Sequence, residues 1–304
     1  MATATATVLD AERSHRRGQI YVALAALAWS SAGVLQRGLS VDAPTQVAAR
    51  AAFACVALVA YVAVSERGRV VEACRSVGVA GIGFAVAVAC ASGSFIVALN
   101  HTSVAHVLFI QAMAPVLAAL LGWVVLGEAI SVRTAVAMAV ALVGVGIMIG
   151  GPGEGGGAGD LLSLAMALAF AVAIVISRHR RDVSMLPATC LSQLFLVIAF
   201  LPFAAPAGMP GDDLLALAAL GAGQIGLGLA LLTVGARLIP AAQVALITLL
   251  ETVLGPLWVW LAIDEKPTTA TLVGGAIVVV AVVIQTAGAP QRPRPAADAV
   301  GPVR

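Results

Sequence analysis

Charge is scarce in this chain. Asp, Glu, Lys and Arg together make up 11% of its 304 residues, where an ordinary soluble domain carries about 25%. Aromatic residues are also few, at 5%. In their place stand 61% hydrophobic residues and a mean hydropathy of +1.04. A water-soluble core cannot hide that much apolar surface, which excludes a soluble globular domain and predicts a polytopic membrane protein. Alternating segments of roughly ten residues are missing as well, which excludes a β-barrel; the apolar runs are long and continuous, so they read as helices. The cysteines Cys55, Cys74, Cys90 and Cys190 are scattered with no CxxC pair, so neither a disulfide framework nor a zinc site is read. The glycine-rich stretch GGPGEGGGAGD (150–160) lacks GK[ST] and is no phosphate loop. No cleavable signal peptide is evident: the first 19 residues are polar and basic, and the first apolar run is a full span.

A bilayer core about 30 Å thick takes roughly 20 helical residues. Ten spans are predicted, at 20–39, 44–64, 77–99, 103–126, 132–150, 160–177, 187–206, 214–236, 240–263 and 269–288. With the N-terminus in the cytoplasm, fourteen positive residues fall on the inner side (Arg13, Arg16, Arg17, Arg67, Arg69, Arg75, Arg133, Arg178, Arg180, Arg181, Arg237, Arg292, Arg294, Arg304) and two, Arg37 and Lys266, on the outer. That asymmetry sets the orientation, with both termini cytoplasmic. The organisation read is a cytoplasmic tail (1–19), five helices (20–150), a flexible Gly-rich linker (151–159), five more helices (160–288) and a cytoplasmic tail (289–304). Both tails are expected to be disordered.

Five spans is an odd number, so a duplicated half inserts upside down. Aligning Glu128 with Glu265 brings Val107, Ile110, Val116, Leu117, Leu120 and Trp123 onto Val244, Ile247, Val253, Leu254, Leu257 and Trp260. Each copy also holds a mid-span proline, Pro115 and Pro256, displaced by one helical turn in this alignment. Inverted repeats with paired, proline-interrupted helices point to a transporter with its site near the midplane.

The stretches LAALAWSSAGVLQRGL (24–39), AARAAFA (48–54), QAMAPVLAALLGWVVLGE (111–128) and RLIPAAQVALITLLETVLGPLWVWLAIDE (237–265), in this order and with the linker between the halves, resemble the EamA-type branch of the drug/metabolite transporter superfamily. The resemblance covers nearly everything from 18 to 288. It implies an all-α membrane protein of ten helices in two inverted five-helix repeats. It further implies a central cavity lined mostly by spans 1, 3, 4, 6, 8 and 9, alternating access, and export of amino acids, related metabolites or toxic organic compounds. Two positions depart from the family pattern. Thr252 stands where a proline often follows the ninth-span Glu, and Asp264 where a glycine often precedes the terminal Glu.

The polar residues inside the spans carry the chemistry. Glu251 lies about 17 Å into span 9, near the midplane, where an ionised acid costs roughly 2.5–3.5 kcal/mol. It is neutral, paired or facing a wet cavity. One reading makes it a proton carrier or a ligand for a substrate ammonium, the other a protonated acid bonded to a neighbouring helix. Arg50 lies about 9 Å from the outer face. It can grip a carboxylate bidentately or snorkel to the headgroups. Gln111 and Gln224, mid-depth in spans 4 and 8, can bind substrate or brace helices. His106 can titrate near neutral pH or be structural. Trp29, with Ser30 and Ser31, is unusual in mid-span; it can stack on a ligand or pack with its indole N–H on a serine. Pro115 and Pro256 are the candidate hinges. Glu128 and Glu265 read as boundary or hinge residues and not as substrate ligands, and Trp123, Trp258 and Trp260 as an interfacial belt.

The function read from this is a secondary transporter at the inner cell membrane, driven by proton exchange or by the substrate gradient. Its partners are a small amino-acid-like solute, protons and the lipid bilayer, with no nucleic acid, cofactor or metal, in a monomer. A sensor or scaffold needs an output domain, and the tails are short. An intramembrane enzyme needs a nucleophile–base pair; CASG (90–93) offers only a partial GxSG.

Overall fold

The computed structural model describes residues 2–31, 35, 39–65, 70–99, 101, 107, 110–148, 157–205, 209–264 and 267–286, and among them every regular element is helical. In chain order these are α1 (Ala2–Ser30), α2 (Ala43–Ser65), α3 (Val70–Ser76), α4 (Gly78–Leu99), α5 (Ala114–Leu126), α6 (Val132–Met148) and α7 (Gly157–His179). There follow α8 (Leu186–Phe200), α9 (Gly211–Ala236), α10 (Ala241–Thr248), α11 (Leu250–Ile263) and α12 (Thr269–Thr286). Among the described residues, seven segments are long and apolar enough to cross a membrane: α2, α4, α7, α8 with the 3-10 turn behind it, α9, α10 with α11, and α12. The apolar helices α5 and α6 are shorter.

Two expectations need correcting. Residues 2–19 are helical and continuous with α1; this stretch has no proline, and a helix already nucleated in the apolar segment extends at little cost. The ninth segment, predicted as one helix over 240–263, is two, because the backbone turns at Leu249. The C-terminal tail, most of the linker, Glu265 and Lys266 lie outside the described residues.

Between lipid-bathed helices there is no hydrophobic drive, so close approach of small residues does the packing. The chain follows that rule. Ala25, Ala26, Ala85, Ala98, Ala118, Ala137, Ala141, Ala171 and Ala281 are all fully buried, while Val64, Val79, Val132 and Leu261 face outward. The helix pairing is reciprocal between the halves. α1 packs on α9 as α7 packs on α4; α2 lies on the middle of α9 as α8 lies on α4; α5 meets α7 as α10 and α11 meet α1. The pairs α2–α8, α6–α12 and α5–α10 map onto themselves. Exchanging the halves therefore leaves this set of pairings unchanged, which is the signature of a two-fold relation between them. Nearly all of these contacts join one half to the other.

Candidate functional site

The site forms where two helices break. Helical geometry at Ile110 and Gln111 gives way to a turn at Ala112 and Met113 before α5 starts, with Pro115 in its first turn. Proline there has no N–H to offer the Gln111 carbonyl, so the ladder cannot run straight through. In the second half α10 stops at Thr248 and α11 starts at Leu250. The Thr252 N–H bonds three residues back, to Leu249 O at 3.1 Å, in place of the usual four. The offset that aligns Glu128 with Glu265 aligns Met113 with Leu250, so the breaks are equivalent. Pro115 sits at its break. Pro256 lies inside continuous α11, about two turns beyond the break it was expected to mark.

Between the breaks lies a cavity lined by α1, α2, α4, α7 and α9 and by both broken helices. Its volume is about 190 Å³, below the roughly 300–1,000 Å³ of drug-sized pockets, so in this conformation it suits a small solute. Five predicted residues line it: Trp29, Arg50, Gln111, Gln224 and Glu251. Gln111 Nε2 donates to Glu251 Oε1 at 2.9 Å, a bond from one break to the other. Gln111 Oε1 is buried with no partner among the described residues. Arg50 is only 7% exposed, so it does not snorkel, and among the described residues it has neither an ion pair nor a side-chain hydrogen bond.

Gln224 rides on a π-helical stretch, Ala219–Leu227, in the middle of α9. Such widened turns recur at functional sites. Its Nε2 donates to Trp29 O at 3.2 Å, and its Oε1 has no partner among the described residues. The Trp29 ring meets Phe170 edge-on, with centroids 6.0 Å apart, and its Nε1 is buried and unbonded among the described residues. Ser30 is not among the lining residues. Its Oγ donates to Leu27 O at 2.7 Å and accepts from Trp258 Nε1 at 2.8 Å, tying α1 to α11. His106 lies outside the described residues.

Some lining residues went unread in the sequence. Thr248 and Ala114 are the repeat equivalents of Gln111 and Glu251, so the internal alignment already contained them. Phe84, Phe95 and Phe170 supply an aromatic wall; three of only eight phenylalanines converge here, a concentration that appears only once the helices are assembled. Ser92 also lines the cavity.

A model of the EamA-like transporter family matches the chain twice, over residues 16–150 and 157–286. Among 29 solved chains that match, one crystal structure, described only as that of a protein, superposes with a TM-score of 0.76. It is 21% identical in sequence, and the match covers 89% of this chain and 97% of that one. At that identity the likeness is one of fold. No curated protein matches the chain.

Proposed function

The chain belongs to the EamA-like transporter family, within the drug/metabolite transporter superfamily, and from that premise we propose that it is a secondary transporter exporting small amino-acid-like or drug-like metabolites by alternating access. In this reading ten helices cross the inner cell membrane in two inverted five-helix repeats, with both termini in the cytoplasm. The two halves rock about the central cavity as a monomer. Proton exchange at Glu251, or the gradient of the solute itself, provides the drive.

One observation carries the reading: the 2.9 Å bond from Gln111 to Glu251 joins equivalent breaks of the two halves inside a buried cavity. A transporter needs its site where both halves meet, so that each can release the solute in turn. The groups left unsatisfied around that bond support the solute class. Among the described residues, Arg50 has no ion pair or side-chain hydrogen bond and Trp29 Nε1 is an unpaired donor, while Gln111 Oε1 and Gln224 Oε1 are unpaired acceptors. Buried polar groups require partners, and a small molecule with a carboxylate at one end and an ammonium at the other supplies both kinds. The phenylalanine wall accommodates an apolar side chain.

The test is solute movement with a proton readout. Wild type and Glu251→Gln are reconstituted in liposomes containing a pH-sensitive dye and presented with pooled amino-acid-like metabolites. One pool is expected to dissipate a pH gradient in wild type and not in the variant. Equal solute movement without any pH change in both assigns Glu251 to helix bonding and leaves the substrate gradient as the drive. No movement of any pool by wild type sinks the transporter reading.

A further inference from the structure

The cavity ends at one face on Ser177 of α7 and Ala236 of α9. The next residue of each helix, Arg178 and Arg237, belongs to a polar knot centred on Glu128. α5 closes at Gly127, whose φ of 65° is the left-handed conformation that glycine adopts without strain. The Gly127 N–H bonds Trp123 O, and the Glu128 N–H turns back to Gly122 O, both at 3.1 Å. That turn aims the Glu128 carboxylate away from its own half. Its Oε1 accepts from Arg178 Nε at 2.8 Å, and its Oε2 from the backbone N–H of Ala241, first residue of α10, at 3.3 Å. The negative group therefore sits at the positive end of α10. Arg178 spends a second nitrogen on Arg237 O at 2.8 Å, at the end of α9. The Arg237 guanidinium in turn donates to Arg181 O. One carboxylate of the first half thus gathers three helix ends of the second, directly across the end of the cavity. The pair is partly buried, at 18% and 25% side-chain exposure for Arg178 and Glu128.

We infer that Glu128 and Arg178 are the gate that closes the cavity at the arginine-rich face, and that their separation is the event that opens it there. The inference rests on the transporter reading above. Opening this face requires the ends of α7 and α9 that carry Ser177 and Ala236 to part from α5. The Glu128–Arg178 bond is the ion pair that spans that divide. It acts by position, without touching solute.

The test reads sidedness. In a chain with Cys55, Cys74, Cys90 and Cys190 replaced by alanine, Ser177→Cys places one thiol at the closed end of the cavity. A membrane-impermeant maleimide is applied from either face, in right-side-out and inside-out vesicles. With the gate intact, labelling from the arginine-rich face is slow. Glu128→Gln and Arg178→Gln are each expected to raise that rate by about tenfold, the response of an open–closed equilibrium to an ion pair that has lost one member. Labelling from the opposite face does not rise. Unchanged rates in both single variants overturn the gate. So does an equal rise from both faces, which is what loss of a mere structural brace produces. Should Glu128→Gln fail to fold, Glu128→Asp, one methylene shorter, is expected to give an intermediate rate, and a wild-type rate there overturns the proposal. Labelling needs no solute. If wild type moves nothing in liposomes while the gate variants still label one-sidedly, the transport reading fails and the gate stands.

Discussion

Arg50 carries a charge into the interior with neither an ion pair nor a side-chain hydrogen bond among the described residues. An ion held that way costs stability that the empty protein never recovers. Arg50→Gln is therefore expected to raise the melting stability of the solute-free protein, by about 1–3 kcal/mol, while solute movement in liposomes collapses. Arg50→Lys keeps the charge but loses the two-pronged grip on a carboxylate, and is expected to retain transport only at higher solute concentration. A thermal melt in which Arg50→Gln falls below wild type would contradict this account. The sequence showed Arg50 and Glu251 as charges inside apolar runs, and so marked them as candidates. It did not show which way they face, because these helices are apolar around most of their circumference and the usual polar stripe is absent. Trp29 and Ser30 make the point most plainly. They are neighbours about 100° apart on α1; one lines the cavity, while the other holds Trp258 on α11. Trp258 thus has an internal bond that a belt reading at the membrane surface does not anticipate.

Helix ends are where the two halves differ most in chemistry while agreeing in geometry. Gly127 closes α5 at φ 65°, and Asp264, its equivalent under the repeat offset, closes α11 at φ 57°. Aspartate tolerates the left-handed region better than most residues but still strains there, and glycine does not. Asp264→Gly is accordingly expected to stabilise the protein by about 1 kcal/mol, and Gly127→Asp to destabilise it by about as much. Paired chemical-denaturation curves check both signs, and a loss of stability in Asp264→Gly would remove the equivalence argued for these ends. Proline made the first break legible, since Pro115 sits in the turn that interrupts the helix. The second break was not legible. Leu249 has neither proline nor glycine beside it, and the nearest proline lies within an intact helix. The turn instead has threonine hydroxyls on either side of it: Thr248 Oγ1 donates to Ala245 O at 2.8 Å and Thr252 Oγ1 to Leu249 O at 2.7 Å, local bonds that compete with the regular ladder.

At the scale of the molecule, the halves interlock. The extensive helix pairs α4–α7, α6–α12, α2–α8, α2–α9 and α1–α9 each take one member from residues before the linker and one from after it. Neither half can bury its small-residue faces alone. Residues 1–150 or 157–304 expressed singly are expected to be degraded or to aggregate, and the two expressed together to co-purify and to restore whatever solute movement the whole chain shows. Recovery of either half as a stable, monodisperse species on its own would refute this. The repeated W-x4-E and the glycine-rich linker were enough to read two halves. The interlocking was not readable, because partners such as Gly144 and Gly274, which meet backbone to backbone, lie far apart along the chain and no local periodicity encodes their pairing. The interlocking also fixes a schedule. When a ribosome has finished the first 150 residues, α1, α2, α4 and α6 have no mates, and Gln111 has no carboxylate to bond. Those helices wait in the lipid until the rest arrives, about 7–30 s later at ordinary elongation rates. During that interval the unmated faces of the first half are exposed to whatever else the membrane holds, before any solute is encountered.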